Sequence, residues 1–214
     1  MVKPVLVKTE DGSNTLYVKE LDEHYHSIHG AIQESQHVFI RHGLKPILPD
    51  HPNPSILEIG FGTGLNCLLT LQNATVNYTS IEKYPISVEQ ALEMEYPATV
   101  EDRDLFRKLH KAPWNKEMNL QGCSLYKIKE DLLTYEFGNE KYDLIYFDAF
   151  SPGVQPDLWS EDIFDKMYSA LRQGGVLVTY CAKGIVKRRL KAVGFTIENP
   201  PGPPGKREIT RATK

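Results

Sequence analysis

The chain has 214 residues, 41% of them hydrophobic and 25% charged, with a formal net charge of −3. These values fit one large globular domain, or one domain with a small attachment, and exclude disordered and fibrous classes. No apolar run approaches the ~18 residues of a membrane span and the N-terminus lacks a signal-peptide core, so no membrane association is expected and the expected location is the cytoplasm.

Residues 4–20 read as a hairpin. Val5 and Val7 alternate with polar residues, Glu10-Asp11-Gly12-Ser13-Asn14 supplies turn chemistry, and Thr15-Leu16-Tyr17-Val18 resumes the strand. Residues 30–42 read as a helix with Ala31, Ile32, Ser35 and Phe39 on one side, and Pro46, Pro49, Pro52 and Pro54 mark a connector without regular structure. Residues 1–50 are thus expected to form an N-terminal hairpin and helix extension, and 51–214 the main domain. From Ser55 onward, strands are expected at 55–59, 76–81, 123–129, 142–147 and 176–181, and helices at 64–72, 87–95, 102–111, 160–172 and 184–192. Ser160 is the expected N-cap of the fourth of these helices, followed by acidic Glu161 and Asp162, with Gly174-Gly175 as its stop. Strand–helix alternation predicts a parallel, doubly wound α/β sheet covered on both faces. At the end, Phe195-Thr196-Ile197 and Arg207-Glu208-Ile209-Thr210 flank a Pro/Gly-rich loop and read as two antiparallel strands.

The first of the main strands leads into Gly60-Phe61-Gly62-Thr63-Gly64-Leu65-Asn66. Glycines let the backbone turn with positive φ and leave room for a ligand, at the carboxyl edge of the sheet where such folds bind nucleotide-like cofactors. The spacing lacks the third glycine position of the dinucleotide fingerprint and the Gly-Lys-Ser/Thr ending of a P-loop. With Glu58 before the first glycine, it resembles motif I of the class I S-adenosylmethionine-dependent methyltransferases, a Rossmann-like fold with an antiparallel last strand. Glu82 lies 22 positions past Gly60, at the end of the second strand, where an acidic residue accepts hydrogen bonds from ribose hydroxyls. Asp131, after the third strand, is placed for an adenine amino group. Glu58, Gly60, Gly62, Gly64, Asn66, Glu82, Lys83 and Asp131 are therefore the candidate cofactor-binding residues, and S-adenosyl-L-methionine the expected cofactor.

Apolar Tyr142-Asp143-Leu144-Ile145-Tyr146-Phe147 delivers Asp148-Ala149-Phe150-Ser151-Pro152 to the same edge. Methyl transfer to nitrogen needs a neutral amine lone pair aimed at the methyl carbon, and Asp148 can hold the amine in line and favour loss of its proton. Asp148 is the candidate catalytic residue, with Phe150 to stack on a base and Pro152 to stiffen the turn. The bland alternative is a turn-capping Asp148 and a core Phe150.

Charge is unevenly distributed. Residues 172–214 carry +8 and the remaining residues −11. A basic C-terminal block on an acidic protein is a candidate phosphate-backbone footprint, although Lys187-Arg188-Arg189 alone reads more simply as a solvated helix face. Cys67, Cys123 and Cys181 suit buried thiols in a reducing compartment. His24, His26, His29 and His37 lack metal-ligand spacing, and no metal is expected.

Leu57 to Leu69, Ser80 to Pro85 and Asp148-Ala149-Phe150-Ser151-Pro152-Gly153-Val154-Gln155-Pro156-Asp157-Leu158-Trp159 together resemble one family, the methyltransferase domain of the bacterial tRNA 5-methylaminomethyl-2-thiouridine biosynthesis enzyme. Tyr25-His26-Ser27, Ile32-Gln33-Glu34-Ser35 with Val38-Phe39, and Gly205-Lys206-Arg207-Glu208 are similar too, so the likeness runs from about residue 9 to 212. Gln33 in place of an acidic residue, Ser151 in place of alanine and Lys83-Tyr84 in place of Lys-Phe are departures that bear on substrate detail.

The resemblance implies N-methylation of the 5-aminomethyl group of (2-thio)uridine at tRNA wobble position 34. Tyr25, Glu34, Phe150, Pro152 and Arg207 are then substrate-binding residues, with Lys206, Arg207 and Lys187–Lys191 on anticodon-stem phosphates. In bifunctional relatives a flavin-dependent oxidase domain follows; here the chain ends at Lys214, so the resemblance is to the stand-alone form, with a separate enzyme expected to supply the aminomethyl intermediate. A monomer is expected. Competing expectations are an aminopropyltransferase-like or other small-amine enzyme, disfavoured by the basic C-terminus, and a catalytically silent cofactor- or RNA-binding module. A NAD-dependent oxidoreductase is disfavoured by the glycine spacing.

Overall fold

The apolar runs that end in glycine, acidic or proline-rich turns become the strands of one large sheet. The computed structural model of the protein describes residues 4–96 and 99–214. Three short antiparallel strands come first, β1 (Val5–Lys8), β2 (Asn14–Val18) and β3 (Glu23–His24), in the order β1-β2-β3. A continuous helical segment follows, built from α1 (Ala31–Ser35), a π-helical stretch (Gln36–Leu44) and α2 (Lys45–Ile47). The main sheet then starts with β4 (Ser55–Ile59), α3 (Leu65–Asn73), β5 (Asn77–Ile81), α4 (Val88–Leu92), α5 (Val100–Lys111), β6 (Glu117–Leu120), β7 (Cys123–Ile128) and β8 (Tyr142–Phe147). It is completed by a 3₁₀ turn (Pro156–Trp159), α6 (Glu161–Ala170), β9 (Leu171–Thr179), α7 (Gly184–Val193), β10 (Thr196–Glu198) and β11 (Thr210–Thr213).

The eight strands lie in the order β10-β11-β9-β8-β4-β5-β7-β6. Strands β7, β5, β4, β8 and β9 are parallel, whereas β11 runs antiparallel to both β9 and β10. This is the mostly parallel Rossmann-like sheet with an antiparallel last strand. The register fixes the site: Ile59 pairs with both Ile81 and Phe147, and Ile81 with Ile128. Four strand tips are thus level, and the residues after them emerge along one edge.

Strand alternation explains the two-sided core. Ile56, Leu144 and Tyr146 pack on one face with Val38, Phe39, Leu44 and Leu68. Leu57, Ile145 and Phe147 pack on the other with Trp159, Phe164, Leu177 and Leu190. Residues 31–47 are therefore part of the first core layer. Gly43 permits their close approach, since a Cβ there would lie 2.9 Å from Val178 Cγ1 and 3.1 Å from Tyr146 Cε1.

Several boundaries differ from the sequence expectation, each for a local reason. The N-terminal helix continues past residue 42 to Ile47, because Pro46 sits at the start of a new turn, where its missing N–H is harmless. The helix from Ser160 stops at Ala170 rather than at the glycines, because Leu171 is already extended and paired with Tyr142; Gly174, with φ +79, falls inside β9 beside a register shift. Strand β6 was not expected. It is a polar edge strand paired to β7 through Gln121-Gly122, both at positive φ, the geometry of a tight hairpin turn. The last strand begins at Thr210, because Lys206 N donates to Pro203 O and Ile209 N to Pro200 O, holding residues 200–209 as a loop. No helix among the described residues is long and apolar enough to cross a membrane.

Phe39 is 1% exposed and stacks against Tyr146 at 5.1 Å between centroids. Phe39→Ala is expected to lower the free energy of unfolding in urea by about 3–5 kcal/mol. A loss within the ~0.5 kcal/mol of a surface substitution would show residues 31–47 to be a dispensable appendage.

Candidate active site

The level strand tips place three loops against one another. Gly60 N donates to Ile81 O and Asp148 N to Ile59 O, both at 3.0 Å. Gly60 has φ +88, and a Cβ there would lie 2.8 Å from the carbonyl oxygen of Asp148. Any side chain at 60 would push the glycine loop and the Asp148 loop apart. From the second strand, Glu82 locks the loop's middle: its Oε2 accepts from Gly62 N at 3.2 Å and its Oε1 from Tyr84 N at 2.8 Å. Burial raises the Glu82 pKa against these stabilising amides. Lys83 pairs with Asp131 at 2.7 Å, which lowers the Asp131 pKa.

Asp148 is half-buried, and its Oδ2 accepts from Asn66 Nδ2 at 2.8 Å. Burial is the main cause that pushes its pKa up to about 7; the negative charge of Glu34 adds to it, while the Asn66 hydrogen bond and the Lys206 charge oppose it. The segment behind it is anchored from the core: Tyr180 hydroxyl donates to Ala149 O at 2.9 Å and Trp159 Nε1 to Phe150 O at 2.8 Å. Phe150 meets Tyr25 edge-on, with centroids 5.1 Å apart. Ser151 Oγ donates to Glu23 Oε1 at 2.5 Å, tying this loop to β3.

These groups line a cavity of about 1320 Å³, larger than the ~300–1,000 Å³ of a single small-molecule site. Of the residues singled out in the sequence, Tyr25, Glu34, Gly60, Gly62, Asn66, Glu82, Lys83, Asp131, Asp148 and Phe150 line it together. Glu58, Gly64, Pro152 and Arg207 do not. Glu58 is fully buried within the sheet, where it accepts from Ser80 Oγ at 2.7 Å and burial pushes its pKa up to about 8. Gly64 is the N-cap of α3 and turns toward His110, whose Nε2 would lie 2.7 Å from a Cβ.

The cavity also holds residues that the sequence did not assign to it. His26, whose pKa burial pushes down to about 4, shares a 2.7 Å hydrogen bond with Thr63 Oγ1 in the glycine loop. Tyr180 and Lys206 close the opposite wall, Lys206 being ion-paired to Glu34 and its Nζ lying 4.2 Å from the Tyr180 ring centroid. Lys206 was expected on phosphates; the structure instead turns it inward. Tyr180 directly follows β9, and His26 and Lys206 lie in irregular segments whose motifs were noted without placing these two side chains in the cavity.

A nucleoside-bearing cofactor fits this edge. The loop offers backbone without side chains at 60 and 62, and Glu82 supplies a carboxylate at the tip of β5, suited to a ribose diol. Asn66 Oδ1 is buried without a partner, an acceptor suited to an ammonium or amide donor. Residues 89–214, more than half of the chain, match the family described as S-adenosyl-L-methionine-dependent methyltransferase. The solved structure of MnmC2 from Aquifex aeolicus is 27% identical, with 99% of this chain and 70% of that chain covered and a TM-score of 0.81. Spermidine synthase from Thermotoga maritima is 12% identical over 99% of this chain and 71% of that one, with a TM-score of 0.59. The 1,6-didemethyltoxoflavin-N1-methyltransferase from Burkholderia thailandensis, solved with S-adenosylhomocysteine, is 14% identical over 79% and 75%, with a TM-score of 0.51. The last two likenesses show the fold alone. With the fold, the cavity and the family match in agreement, this chain belongs to the S-adenosyl-L-methionine-dependent methyltransferases and uses S-adenosyl-L-methionine as its cofactor.

Proposed function

We propose that the protein N-methylates the 5-aminomethyl group of (2-thio)uridine at wobble position 34 of tRNA, giving 5-methylaminomethyl-2-thiouridine. The observation that carries the reading is Asp148, a half-buried carboxylate beside the glycine loop whose Oδ2 is taken by Asn66 while Oδ1 has no hydrogen-bond partner among the described residues. Such a group binds an amine and takes a proton from it. The resemblance across Tyr25–Ser27, Asp148–Trp159 and Gly205–Glu208, and the likeness to MnmC2, support the choice of acceptor.

Gly60, Gly62, Asn66, Glu82, Lys83 and Asp131 would hold the cofactor, with Glu58 and Gly64 shaping the loop from behind. Bound there, S-adenosyl-L-methionine supplies an electrophilic methyl group on a positively charged sulfur. Asp148 orients the acceptor nitrogen and accepts its proton at Oδ1. Tyr25 and Phe150 form an aromatic wall for the base, and Pro152 stiffens the turn after it. A wobble base sits in a single-stranded loop and enters such a pocket without melting a helix.

The basic block contributes fewer free cations than its composition promises. Lys187 pairs with Glu208 at 2.6 Å, Arg211 with Glu198 at 2.7 Å, and Arg189 donates to Trp159 O at 2.9 Å. Lys183, Arg188 and Arg207 are exposed and are in none of the close ion pairs among the described residues, although the charge of Arg207 also acts on its neighbour Glu208. Lys183 follows β9 as the N-cap of α7 and Arg207 precedes β11, both at the sheet edge that carries the cavity, while Arg188 lies one turn into α7; the three suit anticodon-stem phosphates.

Nucleoside mass spectrometry of tRNA carrying 5-aminomethyl-2-thiouridine, incubated with protein and S-adenosyl-L-methionine, is expected to show one added methyl at that nucleoside. No gain in a sample that binds the cofactor would move the function to another acceptor. Asp148→Ala is expected to lower kcat by about 10²-fold or more with little change in cofactor affinity; near wild-type turnover would remove Asp148 from the chemistry. The double charge reversal Arg188→Glu, Arg207→Glu is expected to weaken tRNA binding and flatten its dependence on salt. An unchanged salt slope in a filter-binding titration would place the phosphate footprint elsewhere.

A further inference from the structure

Glu34 and Lys206 enter the wall beside Asp148 from opposite ends of the chain. Glu34 is only 8% exposed, and both its oxygens are occupied, Oε2 by Ser27 N at 2.9 Å and Oε1 by Lys206. A carboxylate held this way is a fixed charge rather than a mobile contact for substrate. Lys206 lies over the face of Tyr180, and the Tyr180 hydroxyl is bonded to Ala149 O, one residue past Asp148. The three side chains thus form a connected set in the wall of the cavity that Asp148 also lines, tied to the backbone one residue past it, where partly buried charges are screened less than exposed ones.

We propose that Glu34 and Lys206 are opposed positioning charges that set the basicity of Asp148, with Glu34 strengthening it as a base and Lys206 restraining it. The proposal rests on the reading of Asp148 as the group that relieves the acceptor amine of its proton. In that step the N–H bond of the acceptor ammonium breaks, an O–H bond forms on Asp148, and nitrogen keeps the electron pair that becomes its nucleophilic lone pair. An ordinary aspartate is a weak base at neutral pH, and transfer is most efficient when base and working pH match. A like charge nearby favours the protonated acid and an opposite charge disfavours it, in line with the directions found for Asp148.

The other ionisable groups around Asp148 do not substitute for this pair. Glu58, from β4, is held mostly protonated at neutral pH by burial, His26 is held neutral, and burial keeps the Tyr180 hydroxyl protonated. Glu82 and Glu23 also line the cavity, but each is tied to its own donors, the amides of Gly62 and Tyr84 and the hydroxyl of Ser151.

The test is the pH dependence of kcat/KM with aminomethyl-bearing tRNA and saturating S-adenosyl-L-methionine. The wild type is expected to gain activity as pH rises through about 7, as Asp148 loses its proton. Glu34→Gln should move this limb down by about 1 pH unit and Lys206→Met should move it up by a similar amount, while Lys206→Arg restores the wild-type position. Cofactor affinity by calorimetry, measured in parallel, identifies a variant that has not folded, and the other variant then reads the same effect with the opposite sign. Limbs that stay in place, or that move in the same direction in both variants, overturn the proposal while leaving Asp148 as the base. A limb that survives in Asp148→Asn overturns the assignment of the base and the proposal with it.

Discussion

The site depends on a contact that allows no side chain. Strands β4 and β8 run in register and end at the same height, so the residues that follow them, Gly60 and Asp148, are forced together. The Asp148 carbonyl oxygen occupies the space that a Cβ at residue 60 would need, at 2.8 Å. Everything else at the edge is arranged around this approach: Gly60 N closes onto Ile81 O from the neighbouring strand, Gly62 turns back onto Glu82, and Asn66 at the start of α3 reaches the Asp148 carboxylate. The sheet register therefore sets the distance between the cofactor loop and the proposed base, and loop conformation only refines it.

The second constraint is electrostatic. Burial works against charge at Glu58, Glu82 and Asp148 alike, and the outcome differs with the donors each finds. Glu58 meets only neutral side-chain donors, Ser80 first among them, which do not offset its complete burial; it is pushed up to about 8, so it serves the sheet as a neutral hydrogen-bonding group. Glu82 meets backbone amides that offset part of the penalty. Asp148 meets one amide side chain and stays poised near neutrality, at about 7. Three carboxyl groups on neighbouring strands thus acquire three different characters from their surroundings.

Much of this was legible in the sequence because it is carried by regular alternation. The runs around Ile56, Tyr78 and Leu144 are strands buried on both faces, and the glycines and acids after them mark the working edge of the sheet. The inward turn of Lys206 was not legible, because a lysine next to an arginine in a basic block reads as a phosphate contact until its partner Glu34, 172 positions away, is seen beside it. The same holds for His26, whose neighbour Thr63 belongs to another segment. The setting of Glu58 was hidden for a related reason: it stands two residues before Gly60, but its burial and its hydrogen bond to Ser80 of the neighbouring strand are tertiary facts that the motif does not carry. β6 was hidden because an edge strand needs little apolar surface.

The acceptor wall joins parts of the chain that are made at very different times. Residues 29–37 meet residues 201–206 through the His37 Nε2 hydrogen bond to Pro201 O at 2.7 Å, the Glu34–Lys206 ion pair and the packing of His29 on Gly205. Strand β11, which follows that loop, is inserted between β9 and β10, so the sheet stays open until the last strand is in place. During synthesis, when earlier segments fold first, the glycine loop and Asp148 can take up their positions well before the wall opposite them exists. A growing chain at that stage would carry a cofactor cradle open to water on one side, and closure of the reaction chamber becomes a late event of folding.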